Sequence, residues 1–309
     1  MERTLSPYIT LALLAISVFL TLLYFDTNRA VPSYIAQQIQ YLDKKPVPFD
    51  EPINVGSGLL VYATSKTFGI SNFIALKAWQ VLCFSGYLCI LYAITSSMRF
   101  TLLSMAYPPL IIDSYQAYTA IGICLYALAI FFTLRKKTVL AFCVSLPLML
   151  ISQEACVFFI GVLLYEFIKQ KAYANISATL KFLNAYILPI TLLGAAICIY
   201  LYTQYNFYGS PIANFIYNQT NTKTFNFSIS VYIVRIAIFT CIFVTSWVLY
   251  KYNKLLCLIN SLFFVTYLYF AIFGYDYLFI AIQRFYSGLI IYTIIALGYY
   301  YKIPMKLWV

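Results

Sequence analysis

Long apolar runs, separated by short polar connections, fill most of the chain. Many of these runs are near the roughly 20 residues that a helix needs to cross a bilayer. Runs 99–112 and 138–152 are shorter, so we expect those two helices to be tilted, paired or partly re-entrant. The pattern predicts ten membrane helices, at residues 8–25, 72–96, 99–112, 115–134, 138–152, 154–168, 182–203, 229–250, 255–274 and 284–301.

Two longer polar segments interrupt the apolar pattern, at residues 26–57 and 204–228. The first contains four prolines and one candidate short helix, Ser33–Leu42, and the second is rich in Asn, Tyr and Phe. There is no internal repeat, and no stretch has the composition of a soluble domain. The sequence therefore predicts an all-α, polytopic integral membrane protein, with residues 1–309 in a single transmembrane domain and two larger outer loops.

The composition favours the same class of protein. Hydrophobic residues make up 63% of the chain and charged residues only 9%, whereas a soluble domain carries about 25% charged residues. The formal net charge is +11, which in a soluble protein would suggest nucleic-acid binding. Here the basic residues are better explained as cytoplasmic anchors, because the sequence has no basic amphipathic segment and no RNA-binding motif.

The distribution of charge predicts the orientation in the membrane. If the N-terminus is cytoplasmic, the inner connections contain basic residues and the outer connections contain mostly acids. Positive-inside statistics then place both termini in the cytoplasm and the loops at 26–57 and 204–228 outside. The inner basic residues are Arg99, Arg135, Lys136, Lys137, Lys169, Lys171, Lys181, Lys251, Lys254, Lys302 and Lys306.

The sequence lacks histidine, and its eight cysteines lie inside apolar runs with no C-x-x-C pair. We therefore expect no disulfide, no metal site and no bound cofactor. The lack of histidine also excludes His-based zinc chemistry, a Ser-His triad and a histidine base. Any acid–base chemistry must come from Asp, Glu, Tyr, Lys or Arg.

Strong polar groups collect on the predicted outer side. A charge near membrane depth is costly and is by default a functional candidate, although a charge at a helix end can also cap that helix in the interfacial zone. Both explanations stay open for each residue, and the one-sidedness of the set favours a site. Its members are Asp26, Asp50, Glu51, Asp113, Gln116, Gln153, Glu154, Asp276, Gln283 and Arg284.

Residues 113–118 follow two prolines, which end or kink the preceding helix. Asp113 or Ser114 could cap the next helix. Alternatively, Tyr115 and Gln116 lie at the mouth of a cavity, where an aromatic face and an amide suit a sugar ring. The sequence leaves these two interpretations equally open.

Arg284 is the most informative single residue, because an arginine on the outer side opposes the positive-inside trend. A guanidinium binds phosphate or diphosphate through two parallel hydrogen bonds. The alternative is an ion pair within the bundle, with Asp276 or Glu154. Arg235, near the outer end of its helix, could join Arg284 in an anion site, and Lys77 is expected to extend its long side chain outwards.

Several motifs, in this order, resemble those of one family of membrane enzymes. After an acidic first outer loop come Asp-Glu-Pro-Ile-Asn-Val-Gly-Ser-Gly-Leu-Leu at 50–60, Phe-Gly-Ile-Ser at 68–71, Asp-Ser-Tyr-Gln-Ala-Tyr-Thr-Ala-Ile-Gly at 113–122, Ser-Gln-Glu at 152–154 and Arg-Phe-Tyr at 284–286. Over about residues 26–168 and 275–301, the chain resembles the EpsG-like branch of the Wzy-type polysaccharide polymerases.

This resemblance implies polymerisation of polyprenyl-diphosphate-linked oligosaccharide repeat units of O-antigen, capsule or exopolysaccharide. The reaction would take place on the outer face of the bacterial cytoplasmic (inner) membrane. The implied partners are that lipid-linked oligosaccharide, membrane lipid and a chain-length regulator protein, with no nucleic acid. Gln116 and Arg284 match the family motifs, with Glu51 as a further match, whereas Tyr115 and Gln153 replace an Arg and a His that the family often has.

On this hypothesis Arg284, with Arg235, holds the donor diphosphate and stabilises its departure. One of the acids Asp26, Glu51 and Glu154 activates the acceptor hydroxyl. The expected substrate-binding residues are Tyr115, Gln116, Gln153, Arg235 and Asp276.

Two other functions fit the same sequence. A GT-C-type glycosyltransferase would take its sugar from a polyprenyl phosphate, with Asp26, directly after the first helix, as base or metal ligand. A transporter or flippase of lipid-linked sugars would pair charges at the midplane within interrupted helices. Because this sequence places its charges at predicted helix ends, an enzyme of the outer face is the favoured hypothesis.

Overall fold

The computed structural model describes residues 6–26, 30–45, 54–106, 108–116, 119–152, 155–213, 229–272 and 290–302. Within these ranges the regular structure is helical, with no β-strand, so the predicted all-α class is confirmed for the described residues. In chain order the helices are α1 (Pro7–Phe25), α2 (Ser33–Leu42), α3 (Gly56–Phe68), α4 (Asn72–Thr95), α5 (Met98–Leu103), α6 (Pro108–Gln116), α7 (Thr119–Leu134), α8 (Thr138–Cys143), α9 (Ser145–Ile151), α10 (Cys156–Lys169), α11 (Ile176–Tyr208), α12 (Ile229–Tyr252), α13 (Lys254–Ile272) and α14 (Ile290–Tyr300).

Three of the described helices, α1, α4 and α11, are long and apolar enough to cross a membrane by themselves. Helices α6 and α7 meet at a bend of 115° and provide a fourth span if the pair crosses as one unit. These apolar helices agree with membrane integration. The number of ten spans stays a prediction.

The predicted helix 99–112 is wrong, because the structure divides this stretch. A 3-10 turn at Ser104–Ala106 follows α5, and α6 begins at Pro108. Proline suits the first turn of a helix because the N–H that it lacks would have no partner there, so the proline pair starts a helix. Asp113 and Ser114 lie inside α6 and do not begin α7, so the capping interpretation is also wrong.

The predicted helix 138–152 is also divided, into α8 and α9 on either side of Val144. Pro147 lies in the first turn of α9 and has no N–H to donate to the carbonyl four residues earlier. The helical hydrogen-bond ladder therefore cannot run unbroken through this stretch.

The predicted helix 182–203 extends further at both ends, as α11. The Asn175 side chain caps its start by accepting a hydrogen bond from the Ala178 amide at 2.8 Å. Gly209 ends the helix with φ +74°, a left-handed conformation that glycine adopts at little steric cost.

One helix lies within the first polar segment, and a second begins at its end. The predicted helix at Ser33–Leu42 is confirmed as α2, whereas α3 was not predicted. Gly69 ends α3 with φ +63°, and the Ser71 hydroxyl caps α4 by accepting a hydrogen bond from the Ile74 amide at 3.3 Å. Together α2 and α3 pack on the start of α4, around Tyr34, Ile35, Ile39, Val61, Ala75 and Leu76.

The larger hydrophobic core lies between the long helices. Helix α4 packs against α7 and α1, α12 against α13, α9 against α11, and α10 against α13. The core side chains between α4 and α7 are fully buried, among them Phe84, Leu88, Ala127 and Ile130.

We call one end of the bundle the loop end, defined by Asp26, Asn54, Lys77, Tyr115 and Tyr208. These residues lie where α1, α6 and α11 end, where α4 begins, and next to the start of α3. The opposite end, the basic end, is defined by Arg135, Lys136, Lys137, Lys169, Lys171, Lys251, Lys254 and Lys302.

The basic residues do not all lie at the basic end. Lys44, Lys45 and Lys66 belong to the loop end, so the predicted alternation of charge is incomplete. Lys66 forms an ion pair with Asp43, with 2.9 Å between Nζ and Oδ1. The positive-inside trend is statistical, so three basic residues at the loop end do not by themselves reverse the predicted orientation.

Candidate functional site

The structure describes only part of the predicted site. Asp26, Tyr115 and Gln116 are described, and Arg235 lies in α12 with its side chain outside the described parts. The remaining predicted site residues, Glu51, Gln153, Glu154, Asp276 and Arg284, lie outside the described residues.

Asp26 and Tyr115 contact each other at the loop end. Asp26 directly follows α1, and the Tyr115 hydroxyl donates a hydrogen bond to Asp26 Oδ2 at 2.7 Å. A hydrogen bond between a hydroxyl and a carboxylate is charge-assisted, which makes it roughly twice as strong as a neutral one. The Tyr115 ring is buried and packs edge-on against Phe19, with 5.8 Å between ring centroids. Two residues predicted separately from the sequence therefore form one cluster.

Lys77 is the third member of this cluster. Its Nζ donates a hydrogen bond to the Tyr115 carbonyl oxygen at 2.6 Å and lies 3.3 Å from the centroid of the Tyr115 ring. A cation over the face of an aromatic ring is attracted by the ring quadrupole. The ammonium therefore lies against Tyr115 at the loop end, and its predicted outward direction stays a prediction. Gln116, the next residue on α6, is exposed.

A second polar cluster joins the first polar segment to α9 and α11. Gln38 Nε2 donates hydrogen bonds to the Tyr208 hydroxyl at 3.0 Å and to the Asn54 carbonyl oxygen at 3.4 Å. Asn54 Nδ2 donates to the Ile151 carbonyl oxygen at 3.0 Å. Asn54, the first described residue after Glu51, is thus hydrogen-bonded to Ile151, which lies two residues before Gln153.

Glycines let the start of α3 approach its neighbours closely. A Cβ added to Gly56 would lie 2.7 Å from the Leu150 carbonyl oxygen, and one added to Gly58 would lie 2.7 Å from the Cβ of Gln38. Both distances are too short for any side chain. Gly56 is therefore needed for the close contact of α3 with α9, and Gly58 for the close contact of α3 with α2.

Some buried polar side chains at the loop end have atoms with no hydrogen-bond partner. Such groups are rare in folded proteins, and each calls for an explanation, of which substrate binding is one. The unpartnered atoms at the loop end, within the described residues, include Ser57 Oγ, Ser114 Oγ, Thr119 Oγ1 and both amide atoms of Gln204.

Sequence reasoning missed Gln38, Asn54 and Gln204. A charge within a largely apolar helix was a signal for Lys77, since membrane-depth charges are expensive. No comparable signal identified the partners of these residues, because those partners lie far away in the sequence.

The described residues contain no group of three Asp, Glu, Cys or His side chains placed to hold a metal ion. All eight cysteines are described and none forms a disulfide. The chemistry available at the described loop end is that of a carboxylate, a phenol, an ammonium and several amides and hydroxyls.

No protein-family model matches the chain, and comparison with curated proteins and with solved structures finds no match. Function is therefore inferred from the residues themselves and from the order of the sequence motifs.

Proposed function

We propose that this protein is an integral membrane glycosyltransferase that polymerises polyprenyl-diphosphate-linked oligosaccharide repeat units at the loop end of its helical bundle. The observation that carries the proposal is the cluster of Asp26, Tyr115 and Lys77. It places a carboxylate and a cation on the same tyrosine, at an end of the bundle that also holds unpartnered buried polar groups.

Sugar transfer needs both kinds of group. The acceptor hydroxyl attacks the anomeric carbon of the donor, and its proton passes to a base. The bond between that carbon and the carrier phosphate breaks, and its electron pair leaves with the phosphate, where a nearby cation stabilises the charge. Asp26 is suited to be the base, because it is a carboxylate at the end of α1 that the Tyr115 hydroxyl holds in position.

The orientation belongs to the same proposal. Ten spans with both termini in the cytoplasm would place the basic end inside, as the positive-inside trend favours. The loop end would then face outwards from the bacterial inner membrane, together with the other residues that the sequence predicts for the site. Those residues are Glu51, Gln116, Gln153, Glu154, Arg235, Asp276 and Arg284.

A single-sugar transferase of the GT-C type is the second candidate. The position of Asp26 favours it, because the residue directly follows the first helix and its carboxylate is held by Tyr115. A transporter is less well supported, because it would pair charges within interrupted helices, whereas the described charges of the cluster lie near helix ends.

The test is complementation of a deletion strain with full-length variants, followed by separation of lipopolysaccharide or capsule by size. We expect Asp26→Asn to reduce activity by about 10²–10⁴-fold, the usual contribution of a general base, at an unchanged protein level. The matched control is Asp43→Asn, in the same segment, whose carboxylate is committed to an exposed ion pair with Lys66. The control should support normal polymer.

The type of defect separates the two candidates. Accumulation of a single-repeat band in the Asp26→Asn strain supports the polymerase, and loss of one side-branch sugar supports the transferase. Polymer of normal length and amount with Asp26→Asn would remove Asp26 from the reaction and contradict the proposal.

A further inference from the structure

Lys77 is the only charged residue in the 24 residues of α4. It lies in the second turn of that helix, directly after Ala75 and Leu76, whose side chains are buried. A charge on a membrane helix is costly and persists where it has a partner or a function. The contacts of Lys77 therefore indicate whether its role is structural or functional.

Lys77 forms no direct ion pair among the described residues, although the Asp26 carboxylate lies near enough to act on its charge. Its ammonium donates to the Tyr115 carbonyl oxygen at 2.6 Å and lies over the Tyr115 ring, with the Phe73 ring 5.3 Å away. Among the described residues, ion pairs within 4.0 Å join Lys66 to Asp43 and Lys169 to Glu166, and none includes Lys77. An ammonium has three N–H donors, and the Tyr115 carbonyl uses one of them.

The tyrosine holds the cation and the carboxylate in a fixed relation. The Tyr115 hydroxyl donates to Asp26, while its ring face and carbonyl oxygen contact Lys77. A compact ammonium binds phosphate as a point charge. The first turns of a membrane helix also lie close to the interface, where the phosphate of a membrane-embedded lipid is found.

We infer that Lys77 binds the phosphate of the polyprenyl carrier, so that the anion subsite is built on α4. This inference rests on the proposed function and deepens it by naming a residue that the sequence motifs did not assign. Asp26 receives the proton of the acceptor hydroxyl, and Lys77 stabilises the negative charge that leaves with the carrier phosphate. The competing explanation is structural: Lys77 caps the carbonyl groups at the end of α6.

The test measures binding, not turnover. Full-length protein in phosphatidylcholine nanodiscs is titrated with a polyprenyl phosphate and with the polyprenyl alcohol of the same length. We expect the wild type to bind the phosphate at least about tenfold more tightly than the alcohol, and Lys77→Gln to lose that preference. Lys77→Arg should keep most of the preference, and the control Lys66→Gln, at the same end of the bundle, should keep all of it.

A second measurement uses the unmodified protein, in case Lys77→Gln does not fold. Amine acylation is followed residue by residue by mass spectrometry, with and without the polyprenyl phosphate. Protection of Lys77, with Lys66 unprotected, supports the inference. Equal protection by phosphatidylglycerol or by inorganic pyrophosphate would overturn the assignment to the polyprenyl carrier. No protection of Lys77 would leave helix capping as its role and overturn the inference.

The outcomes separate this inference from the proposed function. Phosphate-dependent protection of Lys77 together with a fully active Asp26→Asn variant would retain the anion subsite and reject the reaction. An inactive Asp26→Asn variant without protection of Lys77 would retain the reaction and reject the subsite.

Discussion

At the loop end, buried polar side chains find partners far away in the sequence, whereas in the interior of the bundle most of them bond to their own helix. The hydrogen bonds from Tyr115 to Asp26, from Gln38 to Tyr208 and from Asn54 to Ile151 span 89, 170 and 97 residues. Each of these bonds joins two different elements of the fold, so each fixes how those elements are placed.

Along α4 and α7, away from the loop end, hydroxyl groups donate to the carbonyl oxygen four residues earlier. Ser85 donates to Val81 and Thr133 to Ala129, both at 2.8 Å. These bonds satisfy the hydroxyl within its own helix. Some polar groups do join two helices, among them the hydroxyls of Tyr126 and Tyr292 at 2.7 Å, between α7 and α14, and Asn260, whose Nδ2 donates to the Ile242 carbonyl oxygen at 3.1 Å, between α13 and α12.

Polar groups therefore help to determine the arrangement of the helices mainly at the loop end. Between α4 and α7 the packing is mainly apolar, and the hydroxyls of Ser85 and Thr133 bond within their own helix. At the loop end, hydrogen bonds between different elements fix how those elements are placed, and some buried polar atoms remain unpartnered. A buried polar group without a partner is costly to the fold, which makes the loop-end groups the ones to test by substitution.

The largest expected effect comes from disrupting the contact between the start of α3 and α9 at the loop end. Gly56→Ala would place a Cβ 2.7 Å from the Leu150 carbonyl oxygen, and a backbone atom cannot move aside as a flexible side chain can. We expect the free energy of unfolding to fall by about 1–3 kcal/mol or more, as for an overpacked core. The measurement is reversible unfolding of the purified protein in detergent.

Gly194→Ala is the matched control for that substitution. Gly194 lies inside α11, and a Cβ added there meets nothing within 4 Å. Because alanine is the better helix former, we expect unchanged stability or a gain of up to about 1 kcal/mol. If Gly56→Ala and Gly194→Ala lowered the free energy of unfolding equally, the close contact with α9 would not be what excludes a larger side chain at residue 56.

The next effect compares a partnered amide with an unpartnered one. Gln204 is fully buried and neither of its amide atoms has a partner, whereas Gln38 donates to Tyr208 and to Asn54. A buried unpaired polar group costs about 1–3 kcal/mol, so Gln204→Met should raise the free energy of unfolding. Gln38→Met should lower it by a similar amount, because it leaves the groups around it without their donor.

The same unfolding experiment checks the sign of both changes. A loss of stability from both substitutions would contradict this difference between the two amides. A gain from Gln204→Met combined with reduced polymer in cells would support a role for Gln204 in substrate binding, since the amide would then be kept despite its cost to the fold.

Local properties of the sequence were predictable. Helix α2 was predicted correctly within the first polar segment. The apolar runs also correctly predicted an all-helical class for the described residues. The prolines at 108 and 109 were predicted to end or kink a helix, whereas α6 begins there. The break at Val144 was not predicted, although Pro147 was visible, because hydropathy averages over a whole run. Proline therefore carried more information on these breaks than hydropathy did.

The candidate site was only partly predictable. Asp26 and Tyr115 could be chosen individually, since each stands at the edge of an apolar run. Their contact could not be predicted, because no pattern in one sequence joins residues 89 positions apart. Lys77 was noticed as a charge in a helix, but the direction of a long side chain depends on the surface beside it, here the Tyr115 ring. Which neighbours meet at the loop end is a property of tertiary packing.

The smallest expected effect concerns the ion pair between Asp43 and Lys66, which joins α3 to the residue after α2. The hydrogen bond from Lys66 holds the pKa of Asp43 below its ordinary value of 3.8, and the same bond raises the pKa of Lys66 above 10.5. The Asp43 contribution to stability is therefore present above about pH 4 and lost as the pH falls through the lowered pKa. The Lys66 contribution is present below pH 10.5 and lost as the pH rises through the raised pKa.

Both side chains are partly exposed, at 29% for Asp43 and 58% for Lys66, so solvent and salt screen the pair. A double-mutant cycle of Asp43→Asn and Lys66→Gln should give a small favourable coupling at pH 7 and low salt. We expect the coupling to shrink in 1 M salt, where the Debye length is about 3 Å, and to vanish when the carboxylate is protonated at low pH. Absence of coupling at pH 7 and low salt would mean that α2 and α3 are held together by their apolar contacts around Ile35 and Val61, not by charge.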